Sequence, residues 1–96
     1  MTYAANRDLA AARDWLQQPG AGVAAENRLI RISAAIKELK TAPCRWPVGD
    51  HAGIRERPVE GYLVMYRVEP DTDNNQTAGN VWILRVFGPF QNREAT

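Results

Sequence analysis

The sequence predicts an α+β fold, an N-terminal helical hairpin packed on a small antiparallel β-sheet. Three observations carry that expectation. Apolar residues recur at three- and four-residue spacing up to about position 40. The pattern then changes to alternation in two segments, "YLVMYRVE" and "VWILRVFG". Prolines and glycines mark the changes of period.

Leu9, Ala12 and Leu16, with Ala5 one turn earlier, form the first helical stripe. Asn6 is expected to cap that helix, since its side-chain oxygen can accept from a free first-turn amide. Pro19-Gly20 stops it. In the second helix Ala25, Leu29, Ile32, Ile36 and Leu39 step by 4, 3, 4 and 3 onto one face. Arg28, Arg31, Lys37, Glu38 and Lys40 mostly fall toward water, and Lys37 and Lys40 suit the negative end of the helix dipole. The link "QQPGAG" is short enough to turn the pair into an antiparallel hairpin, and Pro43 ends the helical part.

"CRWPVGDHAG" reads as a loop around Trp46 and Val48, and "IRERPV" as a short strand that Pro58 places at an edge. Glu60-Gly61 is a tight turn into "YLVMYRVE". The polar run "PDTDNNQTAGN" is expected to be a long mobile hairpin loop leading to "VWILRVFG". Strict alternation groups Tyr62, Val64, Tyr66 and Val68 with Trp82, Leu84 and Val86 on the arginine-free faces, which should meet the helices. Leu63, Met65 and Arg67, with Val81, Ile83, Arg85 and Phe87, form the other faces, which Arg55 and Arg57 could join. That side would be an apolar sheet surface studded with guanidinium groups.

At 96 residues the chain is expected to be one domain, residues 1–96, with a modest core. Its 45% apolar and 24% charged content is ordinary for a globular protein. A net charge of +1 argues against holding nucleic acid by bulk charge. One cysteine, Cys44, makes no internal disulfide and no zinc spacing. No signal peptide is visible and no apolar run approaches the roughly 20 residues that span a bilayer. A cytoplasmic location is the simplest expectation.

The chain resembles the ParE/RelE superfamily of bacterial toxins, and its ParE branch most closely. The matching pieces are "NRDLAAARDWL", "AAENRLIRISAAIKELKTAP", "GIRERPVEGYLVMYRVE" and "VWILRVFG", in that order. The resemblance implies a toxin of a type II toxin-antitoxin system, held inactive by an antitoxin. For ParE-type members the antitoxin is usually a ParD-like ribbon-helix-helix protein and the target is DNA gyrase. RelE-type members instead cleave mRNA on the ribosome. One departure is that family members usually begin with a fuller first strand. Here the helical pattern starts almost at Met1, which would leave a sheet edge more exposed.

Metal-free RNA cleavage needs a general base, a general acid and cations that hold the phosphate. The C-terminal stretch "VWILRVFGPFQNR" offers Arg85, Gln91, Asn92 and Arg93. Arginine stays protonated, and the amides do not titrate. His51 stands in a glycine-flanked loop, Tyr62 and Tyr66 read as core residues, and Cys44 has no visible base. For Arg67 and Arg85 two readings stand: salt bridges to Glu56 or Glu69, or a recognition face among Met65, Ile83 and Phe87. The second makes Arg55, Arg57, Met65, Arg67 and Ile83 candidates for antitoxin binding, joined by Trp15, which is otherwise expected to pack in the core, if its ring is exposed. Arg85, Phe87, Phe90 and Arg93 become candidates for target binding. No catalytic residue, metal or cofactor is expected, and no sequence-specific DNA binding by this chain. The expectation is therefore gyrase inhibition by binding. The alternatives are a RelE-like endonuclease using Arg67, Arg85 and Arg93 as phosphate clamps, or a toxin-fold protein that only binds its antitoxin.

Overall fold

The computed structural model describes residues 1–89. The elements follow the order α1 (Tyr3–Leu16), α2 (Gly22–Glu38), β1 (Arg55–Val59), β2 (Tyr62–Glu69) and β3 (Asn80–Phe87). The strands form one antiparallel sheet in the order β1-β2-β3, so β1 is an edge strand as Pro58 requires. The helices pack on one face of it, which makes the fold α+β.

Both apolar stripes turn inward. Ala5, Ala12 and Leu16 of α1 are buried with Ile32 and Leu39 of the second stripe, and Leu9, Ala25, Leu29 and Ile36 pack around them. The start of α1 differs from expectation. Its cap is Thr2, whose Oγ1 accepts from the Ala5 amide at 3.2 Å, and Asn6 lies inside the helix. Thr2 takes the role because it is also tied to β3. Its amide donates to the Ile83 carbonyl at 3.1 Å, and its hydroxyl lies 2.8 Å from the Ile83 oxygen and 3.1 Å from that of Leu84.

That contact answers the missing first strand. The outer edge of β3 is covered between Ile83 and Val86, because the start of α1 lies along it. Asp8 continues the cover, accepting from the Val86 amide at 2.8 Å. The far edge is covered at its start, by the loop before β1. There the Gly49 amide donates to the Ile54 carbonyl at 2.9 Å, and the Glu56 amide to the Pro47 carbonyl at 3.1 Å. Unpaired strand edges invite association, so both closures favour a discrete particle.

The β1–β2 turn has two consecutive left-handed residues, Glu60 at φ 51° and Gly61 at φ 80°, the geometry that matches the twist of a tight hairpin. Glutamate is unusual there, and α2 holds it in place. Arg28 donates to the Glu60 carbonyl at 2.9 Å, and Arg31 to its carboxylate at 2.9 Å. Arg28 is thus a clasp on the turn, while Arg31 remains a solvated helix residue that pairs with Glu60 at the surface.

Strict alternation fails in β3. Met65 pairs with Arg85 and Tyr66 with Ile83, so Leu84 is an extra residue, a β-bulge. One extra residue swaps the faces upstream of it. Val81 and Ile83 therefore join Val86, Tyr62, Val64, Tyr66 and Val68 in the core beneath the helices. Trp82, expected inside, is 48% exposed. The opposite face holds a second, smaller cluster of Leu63, Met65 and Phe87, with Ile54 packed against it.

Candidate partner-binding surfaces

The two-residue turn fixes the register of β1. Val59 pairs with Tyr62, Arg57 with Val64 and Arg55 with Tyr66. Directly paired residues share a face, so Arg55 and Arg57 lie on the helix side and not among the outer arginines. Arg55 is 5% exposed. Its Nε and Nη2 reach both oxygens of Asp71 at 2.8 Å, and Nη2 also reaches Asp73 at 3.0 Å. Its Nη1 donates to the carbonyls of Trp46 at 2.7 Å and Cys44 at 3.3 Å.

This bidentate guanidinium holds the Asp71 carboxyl down to about 2, well below its usual range. The expected mobile loop is consequently bridged to the rest of the fold. Asn75 adds a second tie, its Oδ1 accepting from the Cys44 amide at 2.7 Å. Burial, followed by the charge of Asp71, pushes the Cys44 thiol up, which disfavours the nucleophilic thiolate. Arg57 lies 4.2 Å over the Trp46 ring and 3.8 Å from Glu38 of α2, with its Nε buried and unpartnered. Both arginines brace loops and helix from within.

Arg67 is exposed and paired with Glu69 at 3.4 Å. Arg85 is held by Asp8 rather than Glu56 or Glu69, through Nε at 2.7 Å and Nη2 at 3.1 Å. Its guanidinium carbon sits 4.5 Å over the Phe87 ring. Besides Arg55, three of the expected surface residues are not on the surface. Ile83 is in the main core, because the Leu84 bulge turns it inward, while Met65 and Phe87 lie in the second cluster, and each is 3% exposed. Phe90 and Arg93 fall outside the described residues. Tyr66 is a core residue whose hydroxyl donates to the Pro43 carbonyl at 2.7 Å, and burial raises its phenol to about 12.

Exposed aromatic surface is found instead on α1. Trp15 is 58% exposed and borders a hollow of about 340 Å³ with Asp8, Ala11, Ala12, Tyr62, Gly88 and Pro89. A second hollow of about 310 Å³ adjoins it, lined by Ala4, Arg7, Asp8, Ala11 and Arg85. Ala4, Asp8, Ala11 and Trp15 are spaced by 4, 3 and 4, a second helical stripe beside the core-facing one. Of these, Trp15 alone stands out in the sequence. The small alanines leading to a tryptophan were the available signal for a groove. Nothing local pointed to Asp8 as the partner of a strand 77 residues away.

Two helices followed by a three-stranded antiparallel meander, braced by internal arginine–carboxylate contacts, define a small α+β domain with an open groove along its first helix. Residues 1–88 match the family model described as the ParE toxin of type II toxin-antitoxin system, parDE, and the chain belongs to that family. It is thus a toxin of a type II toxin-antitoxin system, and membership implies an antitoxin partner. No curated protein and no solved structure matches the chain. Among the described residues no helix is long and apolar enough to cross a membrane.

Proposed function

We propose that this toxin inhibits DNA gyrase by binding to it, and that a ParD-like ribbon-helix-helix antitoxin neutralises it in the cytoplasm. Support comes first from membership in the ParE family. The observation that carries binding over cleavage is the fate of the sheet arginines. Arg55 is consumed by Asp71, Asp73 and two carbonyls, Arg85 is clamped by Asp8, and Arg67 is paired with Glu69. Guanidinium groups already paired with carboxylates are poor phosphate clamps. Tyr66, a possible proton donor, has its hydroxyl buried on a backbone carbonyl. Phe90 and Arg93 remain the target-facing candidates beyond Pro89.

The test is DNA supercoiling by purified gyrase, with the toxin added alone and then with its antitoxin. Inhibition that the antitoxin reverses is the expected result. Cleavage of mRNA on translating ribosomes with supercoiling untouched would refute the reading. Truncation after Pro89 is expected to abolish the inhibition while antitoxin binding survives.

A further inference from the structure

We propose that a hollow between Trp46 and Glu56 receives an arginine side chain of the protein this toxin inhibits, a second point of contact beside the C-terminal tail. The choice of partner rests on the reading of the chain as a gyrase inhibitor that acts by binding. The hollow has a volume of about 270 Å³ and is lined by Trp46, Pro47, Gly49, Glu56, Pro58 and Leu63. Glu56 pairs with Met65 and Pro58 with Leu63, which puts Glu56, Pro58 and Leu63 on the sheet face opposite the helices. The loop before β1 supplies the other wall. The Glu56 amide donates to the Pro47 carbonyl at 3.1 Å and Val48 bridges to Arg55, which draws Trp46, Pro47 and Gly49 against the strand.

One group in these walls is charged. The carboxylate of half-buried Glu56 has no hydrogen-bond or ion-pair partner among the described residues. Its sequence neighbours Arg55 and Arg57 point to the helix side. There Arg55 is taken by Asp71 and Asp73, and Arg57 donates to the Pro58 carbonyl at 2.6 Å. Gly49 makes the arrangement possible, because a methyl group at that position would overlap the Glu56 carboxyl.

A carboxylate set in apolar walls attracts a cation more strongly than one in open water. A guanidinium group suits this hollow better than an ammonium group. It is weakly hydrated and planar, it lies flat on aromatic rings, and its forked N–H groups meet both carboxylate oxygens. The Trp46 ring already carries one such cation, Arg57 at 4.2 Å. Pro47, Pro58 and Leu63 match the methylene stem of an arginine.

The position of the hollow assigns that arginine to the target. Leu63 pairs with Phe87 as well as with Pro58. The hollow therefore opens within about two strand spacings, or roughly 10 Å, of the end of β3, where the tail begins. A protein engaged by the tail brings its own surface against Trp46 and Glu56.

Two measurements test the proposal. In the first, acetyl-arginine-amide is titrated into the isotope-labelled full chain and followed by NMR. Shifts are expected at the Trp46 indole and at the Gly49 and Glu56 amides. Acetyl-citrulline-amide, the neutral isostere, is expected to bind at least about 5-fold more weakly. Glu56→Gln keeps the shape of the side chain and is expected to remove that preference with an unchanged thermal melt. In the second, Glu56→Arg is expected to raise the toxin concentration for half-inhibition of gyrase supercoiling by about 10-fold or more. Ile30→Ala, at an exposed position of α2, is expected to change it less than about 2-fold. Absence of the NMR shifts, equal affinity for the two probes, or inhibition unaffected by Glu56→Arg would overturn the proposal. Shifts that arise only after truncation beyond Pro89 would overturn it too, by giving the hollow to Arg93 of the chain itself. Wild-type toxin that takes the charged probe in this hollow yet leaves supercoiling untouched would instead sink the gyrase reading on which the choice of partner rests.

Discussion

Removing the Asp8 carboxylate tests whether the edge of β3 is held as described. Asp8→Ala deletes three acceptor contacts: 2.7 Å and 3.1 Å to Arg85, and 2.8 Å to the Val86 amide. The Asp8 side chain is only 9% exposed, so water does not simply replace it. An orphaned strand amide costs about 1–3 kcal/mol, and a charged hydrogen bond contributes about 1.5–3 kcal/mol. The Arg85 side chain is 31% exposed and can be partly re-solvated, which discounts the second figure. The expected loss is therefore about 2–4 kcal/mol, a large share of the stability of a small domain. In urea unfolding followed by tryptophan fluorescence the midpoint should fall by roughly 1–3 M. Asp8→Asn keeps an acceptor for the Val86 amide and should cost about half as much. A double-mutant cycle with Arg85→Ala should show coupling of about 1–2 kcal/mol. A loss below about 0.5 kcal/mol with no coupling would show that the clamp contributes nothing, and that Arg85 is free to serve a partner.

Three further outcomes follow from the other internal polar contacts. Tyr66→Phe strands the buried Pro43 carbonyl and should lower stability by about 1–2 kcal/mol, read from the same urea curves. Arg55→Lys loses the two-pronged contact with Asp71 and cannot reach both loop carbonyls, so a loss of about 2–3 kcal/mol is expected, with faster amide exchange in residues 70–79. The Asp71 carboxyl, depressed to about 2 in the fold, adds stability that is fully present above its ordinary value near 4. That part is lost as pH falls from 4 toward 2, and Asp71→Asn should flatten the acid limb of a plot of urea midpoint against pH.

The helical hairpin and the order of strands were legible because burial leaves a periodic trace. Ala5 to Leu16 and Ala25 to Leu39 repeat at helical spacing, and Glu60-Gly61 is a tight-turn dipeptide that the fold uses as one. The face of Arg55 and Arg57 was also within reach. A two-residue turn dictates that position 57 pairs with 64 and 55 with 66, which aligns both arginines with the core side of β2. The bulge at Leu84 was not within reach. No glycine marks it, and Thr2 meets the Ile83 and Leu84 carbonyls there from the other end of the chain. That single register shift moved Ile83 inward and Trp82 outward, and with them part of the expected partner surface.

The closed edges bear on how such a toxin can be recognised. A sheet with a free edge can capture an extended partner strand through backbone hydrogen bonds, which are largely indifferent to side-chain identity. In this chain the amide of Val86 is spent on Asp8, the carbonyl of Ile83 on Thr2, and the amide of Glu56 on Pro47. Recognition by strand addition would first have to undo those contacts. With Thr2 and Asp8 lying along β3, that stretch of edge becomes the wall of a groove beside α1. Affinity and selectivity then fall to side chains rather than to backbone pairing. A toxin whose partner must be specific gains from that exchange, because side-chain contacts discriminate between partners where backbone pairing does not.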